Sequence, residues 1–182
     1  NDEIDLNYWF KVCNKNGYLD LAKNIYQIAK MYNKQIDIHY NKDKPFRNCC
    51  KFGYYDFAVW LFEIAISDTK FPININSHFD YPILHSVRNN HLQIVEWLCK
   101  IGKSIYTDYQ MKTIDINMNN NQLFISSCSS NQLDMAKLIY NISQEFGSII
   151  DIRTNIEKIL YNIPVNCNTT KHNKDNCDTI KW

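Results

Sequence analysis

Apolar residues recur along this chain at spacings of three and four residues, in four segments that follow one register. Such spacing is typical of helices that bury one face. One residue with a strong turn preference interrupts each segment, namely Gly17, Gly53, Asn90 or Asn131, at intervals of 36, 37 and 41 residues. Gly and Asn most readily adopt the left-handed backbone conformation that a tight turn requires. The pattern therefore predicts four units, each made of a helix, a tight turn and a second helix.

The positions around the turns share their residue types from unit to unit. A large apolar residue lies seven positions before each turn, a small residue lies four positions before it, and an apolar residue follows four positions after it. In that order the residues are Phe10, Phe46, Ile83 and Phe124; Cys13, Cys49, Ser86 and Ser127; and Leu21, Phe57, Ile94 and Met135. We interpret the small residue as the closest approach of neighbouring helices. Helices are predicted over 9–16, 19–32, 45–52, 54–66, 82–89, 92–101, 122–130 and 133–146.

A third element, here called the finger, recurs between the helix pairs at 36–39, 73–76, 114–117 and 150–153. Each finger alternates Ile with a polar residue, which is the period of a short β-strand. We therefore expect a hairpin-like finger that leads into the first helix of its unit, in a right-handed stack of helix pairs with almost no sheet. The extra residues at 102–113 follow a second helix, where they are expected to loop out. A repeat of this length is typical of solenoids built from stacked helix pairs.

Residues 82–98 carry a resemblance to a known family. They contain a Pro followed by apolar residues, a small residue, an Asn90-His91 turn and an Ile94-Val95-x-x-Leu98 second helix. In these residues the chain resembles the ankyrin-repeat proteins, and its Ile-Asn-Ile finger is similar to those of degenerate ankyrin proteins of giant DNA viruses of amoebae. The resemblance implies an all-α ankyrin-repeat solenoid over 1–163. Its units would cover about 5–35, 36–72, 73–113 and 114–149, with a partial unit at 150–163 and a polar flexible tail at 164–182.

The charge of the chain gives no sign of a nucleic-acid or membrane partner. The formal net charge is +1 and the charged residues are scattered along the sequence, whereas nucleic-acid binding usually requires a basic patch. No apolar run approaches the length of a membrane span. No secretory signal is recognisable, and the first residue is Asn rather than Met, so we expect a fragment of a longer chain. We expect a monomer in the cytoplasm, or in the host cytoplasm if the protein is viral.

The seven cysteines are an odd number in a chain without a secretory signal, which does not favour a disulfide framework. Four of them, Cys13, Cys49, Cys99 and Cys128, lie at repeat positions that face inward, so we interpret them as core residues. In the tail, Cys167, His172 and Cys177 match three ligands of a zinc knuckle, but Pro164 occupies the place of the first ligand. Structural zinc sites normally have four protein ligands, so we expect no metal and no cofactor.

Motifs that would indicate catalysis are missing from the sequence. It contains no Gly-rich phosphate loop, no His-Glu-x-x-His and no Gly-x-Ser-x-Gly. Its histidines are spread over fingers, helices and tail, and its carboxylates form no paired set that would suggest acid–base chemistry. We therefore expect a protein that is not an enzyme.

Solenoid curvature creates an extended concave surface, which is the usual binding face of repeat proteins. By the ankyrin resemblance, a partner protein would contact the fingers and the two positions before each turn. The partner-binding candidates are Tyr40, Asn41, Asp43, Lys51, Phe52, His78, Phe79, Asp80, Arg88, Asn89, Met118 and Asn119. The expected function is a protein–protein interaction module, with a host protein as partner if the chain is viral. The alternative is a substrate-recruiting adaptor of a ubiquitin ligase, with the ligase-binding motif outside this fragment.

Overall fold

The structure is a computed structural model that describes residues 4–69, 71–109, 113–148, 150, 151 and 153. Over these ranges the chain is helical and contains no β-strand. A π-helical turn, Ala65–Thr69, continues from the fourth helix. The eight α-helices are α1 (Leu6–Asn16), α2 (Leu19–Met31), α3 (Tyr40–Phe52), α4 (Tyr55–Ile64), α5 (Ser77–Arg88), α6 (Leu92–Tyr109), α7 (Met118–Ser129) and α8 (Leu133–Glu145). The expectation of an all-α fold is confirmed for these ranges.

The helices pack as successive pairs. Each first helix contacts the second helix of its own unit, so α1 lies against α2, α3 against α4, α5 against α6 and α7 against α8. The first helices also contact each other in sequence, from α1 to α3, α3 to α5 and α5 to α7. A unit therefore contacts the neighbours that precede and follow it, as in a helical repeat arrangement.

The four tight turns have the predicted left-handed backbone. The φ angles are +75° at Gly17, +79° at Gly53, +59° at Asn90 and +54° at Asn131. In every unit, the residue directly after the turn donates its N–H to the carbonyl of the small residue that lies four positions before the turn, at 2.9–3.0 Å. This hydrogen bond satisfies one of the carbonyls that a helix C-terminus leaves unpaired. The same hydrogen bond in four units fixes the angle at which each second helix begins.

The residues predicted to face inward form the core. The large apolar position is at most 2% exposed in all four units, and so are Cys13, Cys49, Ser86 and Ser127 at the small position. Polar side chains at or next to the small position also form hydrogen bonds to the neighbouring first helix. The Asn14 amide donates to the Pro45 carbonyl (3.0 Å), and the Ser86 hydroxyl donates to the Cys50 carbonyl (3.1 Å). The small position is therefore the close contact between first helices, as predicted.

Two tryptophans join neighbouring units. The ring centroid of Trp60 in α4 lies 6.3 Å from that of Phe10 and 5.7 Å from that of Tyr26, and both of these residues belong to the first unit. Trp97, at the equivalent position of α6, lies 6.0 Å from Phe46 in the second unit. The first unit has the exposed Asn24 at this position. The indole rings therefore contribute apolar contacts between stacked units.

The fingers contain no β-strand over their described residues, as expected for a fold with almost no sheet, although their sequence alternates with the period of a strand. The described Ile residues of the fingers are buried, but the polar residue that follows the first Ile forms an Asx turn, in which its side-chain oxygen accepts the N–H two residues later. His39 N donates to Asp37, Asn76 N to Asn74, Asn117 N to Asp115 and Arg153 N to Asp151, at 2.9–3.0 Å. Alternation of Ile with Asp or Asn thus reflects a turn rather than a strand.

The segment 102–113 was expected to loop out, and this expectation is wrong for its first part. Helix α6 continues to Tyr109. Residues 103–109 contain neither Gly nor Pro, so nothing in their backbone chemistry ends the helix. Gly102 is buried, and a side chain there would meet Ile75 and Ile114 of adjacent fingers. The insertion therefore lengthens a second helix.

Candidate functional site

The exposed side chains of α1, α3, α5 and α7, with the turns that begin the last three, form one continuous surface, here called the first-helix face. It is continuous because these helices contact each other in sequence. Eleven of the twelve partner-binding candidates lie within α3, α5 and α7, and the other, Asn89, follows α5 directly. Positions on this surface can therefore be compared by their distance from the turn of each unit.

Helices α3, α5 and α7 each contain a left-handed turn of three residues near the N-terminus, at 41–43, 78–80 and 119–121. All nine residues have φ between +48° and +64°. Left-handed conformation costs an ordinary L-residue about 1–2 kcal/mol. Asn tolerates it best, and the turn in α7 consists of Asn alone. The sequence did not predict this turn, because Gly is absent from all three segments.

In the second unit, side chains from the same helix support the left-handed turn. Arg47 is 8% exposed, and its guanidinium donates to the carbonyls of Asn41 (2.7 Å) and Lys42 (3.0 Å). His39 Nδ1 donates to Asp43 at 2.6 Å, and the other oxygen of Asp43 accepts the Asn74 N–H from the next finger at 3.2 Å. Asp43 is therefore a structural residue that connects two fingers.

The turn of the third unit places an aromatic residue in the left-handed region. Phe79 has φ +60° and is 88% exposed. A bulky residue with this conformation is an outlier among folded proteins. This exposure means that the ring recovers little of the cost by burial, although the His78 ring lies beside it with centroids 5.9 Å apart. Strained residues of this kind cluster at binding and catalytic sites.

Cations and aromatic rings meet across the boundaries between units. Lys11 of α1 lies 4.8 Å from the centre of the Tyr40 ring in the second unit. In the same way, Arg47 lies 5.3 Å from the Tyr81 ring in the third unit. Tyr81 in turn stacks on His85 at 3.7 Å. Such cation–π contacts stabilise the face while leaving polar atoms near the solvent.

A second aromatic group lies at the turn of the second unit. Phe52 is 44% exposed, lies 5.8 Å from Tyr54 and has the Lys51 ammonium 5.2 Å from its ring centre.

Burial lowers the pKa of His85, and the charges of Arg88 and Lys51 lower it further.

The structure separates the partner-binding candidates by exposure. Asn41, Phe52, His78, Phe79, Arg88, Asn89 and Asn119 are exposed, and Tyr40, Lys51 and Asp80 are half-buried. Asp43 and Met118 are each only 7% exposed, so neither offers its side chain to a partner. Lys11, Arg47, Tyr81 and His85 were missed. A signal existed for two of them, since Lys11 and Arg47 both lie six residues before a turn.

The described cysteines are poorly suited to redox or metal chemistry. Cys13, Cys49, Cys50, Cys99 and Cys128 are free and buried. Burial raises the pKa of Cys49 and Cys50 well above the usual thiol range and that of Cys128 to about 11, so thiolates are scarce near neutral pH. Within the described ranges, no group of three or more His, Cys, Asp or Glu could hold a metal. The zinc-knuckle residues Cys167, His172 and Cys177 lie outside those ranges.

A cavity of about 620 Å³ lies away from the first-helix face, between the end of α2 and the π-helical turn. Tyr26, Lys30 and Asp68 line it, and Lys30 pairs with Asp68 at 2.9 Å. The hydrogen bond from Lys30 lowers the pKa of Asp68, while burial, together with Asp68, raises the pKa of Tyr26 to about 12. Tyr26 and Lys30 both donate to Asp68, at 3.0 and 2.9 Å, so these three side chains satisfy one another.

The helices of the described ranges were also compared with membrane spans, and none is both long enough and apolar enough to cross a bilayer. Comparisons of the chain with protein-family models, with curated proteins and with solved structures find no match.

Proposed function

We propose that this chain is a non-enzymatic, ankyrin-like repeat module that binds a partner protein through its first-helix face. The observation that carries the proposal is Phe79, an aromatic residue held in a left-handed turn and 88% exposed. Its conformation costs folding free energy and its exposure returns little. A binding role explains why a bulky aromatic residue occupies this position.

The distribution of constant and variable positions supports the same proposal. The turn residues and the large and small core positions keep their type in all four units. By contrast, the central residue of the left-handed turn changes from Lys42 to Phe79 to Asn120. A constant frame with variable exposed positions allows the frame to fix geometry and the side chains to determine specificity.

The chemistry of the exposed residues also suits protein recognition. Phe52, Phe79 and Arg88 lie on the second and third units, and aromatic and Arg side chains are enriched among interface residues that contribute most to affinity. All three side chains are exposed, and of the two rings Phe79 is the more exposed, at 88% against 44% for Phe52. Their truncation is therefore expected to affect binding more than folding.

The decisive experiment is the substitution Phe79→Asn. Asn is the residue that α7 uses at the equivalent position, Asn120, and it tolerates left-handed φ. We expect the free energy of unfolding to stay unchanged or to rise by up to about 1 kcal/mol. At the same time, affinity for a partner captured from lysate should fall by about 2 kcal/mol, which is roughly thirtyfold. A merely structural Phe79 would not separate the two effects in this way.

A matched pair of multiple variants locates the surface. The test variant replaces Tyr40, Phe52, Phe79 and Arg88 by Ala, and the control replaces Lys23, Ile28, Tyr32 and Phe71, which are exposed outside the first-helix face. Circular dichroism melts establish that both variants fold. The test variant should lose binding and the control should keep it. Undiminished binding by the test variant would contradict the proposal.

A further inference from the structure

The charged residues segregate between the two layers of helices, although the net charge of the chain is only +1. Helices α1, α3 and α5 contain two acidic residues, Asp43 and Asp80, and α7 contains no charged residue. The cations of the three charged helices are Lys11, Lys15, Lys42, Lys44, Arg47, Lys51 and Arg88. The first-helix face of units one to three is therefore basic.

The second helices have the opposite balance. Their described side chains include the acids Asp20, Asp56, Glu63, Glu96, Asp134 and Glu145, and the cations Lys23, Lys30, Lys100 and Lys137. Two of these lysines already have carboxylate partners, because Lys30 pairs with Asp68 at 2.9 Å and Lys100 with Glu96 at 2.6 Å. The charges are scattered along the sequence, but in the folded chain the first helices are mainly basic and the second helices mainly acidic.

Three cations of the first-helix face occupy one position of the repeat. Lys15, Lys51 and Arg88 each lie two residues before a turn, on the adjacent helices α1, α3 and α5, and are here called the cation ladder. Among the described residues, none of the three forms an ion pair with a carboxylate. The two acids of these helices do not offset the ladder, because Asp43 is buried against His39 and Asp80 is half-buried.

The ladder has a geometric consequence. Packed helices lie about 8–10 Å apart, so successive cations of the ladder recur at about that spacing. An extended or polyproline-type segment advances about 3.1–3.4 Å per residue. A side chain at every third residue of such a segment would therefore meet the next cation. Single-stranded nucleic acid suits this chain less well, because domains that bind it are usually strongly basic overall, whereas the net charge here is only +1.

We propose that the first-helix face binds an extended acidic protein segment whose Asp or Glu residues recur about every third position across α1, α3 and α5. This inference rests on the proposed protein-binding function and names the chemistry of the partner. Phe52 lies beside the ladder, since the Lys51 ammonium is 5.2 Å from its ring centre, so an apolar residue between the acids would contact it. Arg47 contributes little, since its guanidinium is occupied by the Asn41 and Lys42 carbonyls.

The test measures fluorescence anisotropy of labelled probes with the full 182-residue chain. One peptide of about 12 residues carries Glu at every third position, an isomer of the same composition carries its Glu residues in one block, and a third carries Lys instead of Glu. A single-stranded oligonucleotide of similar length is the fourth probe. We expect the every-third peptide to bind at least about tenfold more tightly than the other probes, and less tightly as salt rises.

Charge reversal then locates the contact. Lys15→Glu with Arg88→Glu reverses the exposed ends of the ladder, and we expect affinity for the every-third peptide to fall at least about tenfold. The control, Lys23→Glu with Lys100→Glu, reverses two lysines of second helices and should change affinity less than about twofold. Equal binding by the two double variants, absence of peptide binding, or tighter ladder-dependent binding of the oligonucleotide would each overturn the inference.

Failure of this inference is distinguishable from failure of the proposed function. A captured partner whose binding depends on Phe79 but not on Lys15 and Arg88 would leave the protein-binding module intact and exclude an acidic segment. A partner that is insensitive to both sets of substitutions would exclude the first-helix face altogether.

Discussion

The Nε2–H of His91 donates to the carbonyl oxygen of Lys51 at 3.0 Å, so the first residue after one turn binds the turn of the preceding unit. The next unit repeats this relationship, since the Gln132 amide donates to the Arg88 carbonyl at 3.1 Å. In both pairs the acceptor lies two residues before a turn and the donor one residue after the next turn. These hydrogen bonds fix the spacing of neighbouring units.

Substitution of Gly53 by Ala tests this contact between units. A Cβ atom at Gly53 would lie 2.6 Å from the His91 ring, and its φ of +79° is unfavourable for Ala. Gly147→Ala is the matched control, because φ is +67° there but nothing lies within 4 Å. We expect Gly147→Ala to cost about 1 kcal/mol, and Gly53→Ala about 2–3 kcal/mol because the His91 hydrogen bond is also lost. Urea denaturation of both variants measures the difference, and equal losses would contradict the contact.

The small position gives a second prediction. Cys49 and Ser86 are fully buried between adjacent first helices, so Phe at either site should overpack the interface and cost about 1–3 kcal/mol or more. Cys49→Ala should be mild, because it removes one atom and a weak contact with the Asn14 amide at 3.3 Å. Thermal melts compare the variants. Unchanged melting of the Phe variants would show that the assigned register is wrong.

The sequence predicted the turns and the core because both depend on local chemistry that repeats. Gly or Asn at the turn and a small residue four positions earlier were sufficient to place all four units. The local structure of the fingers was not predictable in the same way, because Ile alternating with Asp or Asn fits both a strand and an Asx turn. Only the hydrogen bond from the N–H of residues such as His39 to Asp37 distinguishes the two.

The candidate surface was less predictable than the fold. Register identified Phe79 and Arg88, which are exposed, but it also identified Asp43 and Met118, which are buried. The number of residues between a position and the turn of its unit does not specify the direction of the side chain when left-handed backbone interrupts the helix. The pairing of Lys11 with Tyr40 across units was not predictable either, because it depends on how units stack.

His85 makes stability depend on pH. Burial and the charges of Arg88 and Lys51 hold its folded-state pKa below the ordinary value of 6.5. The unfolded chain then binds more protons than the folded chain below about pH 6.5, so the free energy of unfolding should fall as pH decreases through that value. His85→Gln should reduce this dependence between about pH 7 and 5. Urea denaturation across that range, with His78→Gln as an exposed control, measures it.

Leu21 and Ile94 occupy the same position, four residues after a turn, but differ in environment. Leu21 is 49% exposed, whereas Ile94 is 1% exposed. In a stack, each unit contacts only its neighbours. The preceding unit therefore covers this position in α6, whereas no unit precedes α2 among the described residues. We expect Ile94→Ala to cost about 2–5 kcal/mol and Leu21→Ala about 1 kcal/mol or less. Urea denaturation should show this difference. Equal costs at the two positions would mean that another part of the chain, or a second molecule, covers α2 in solution.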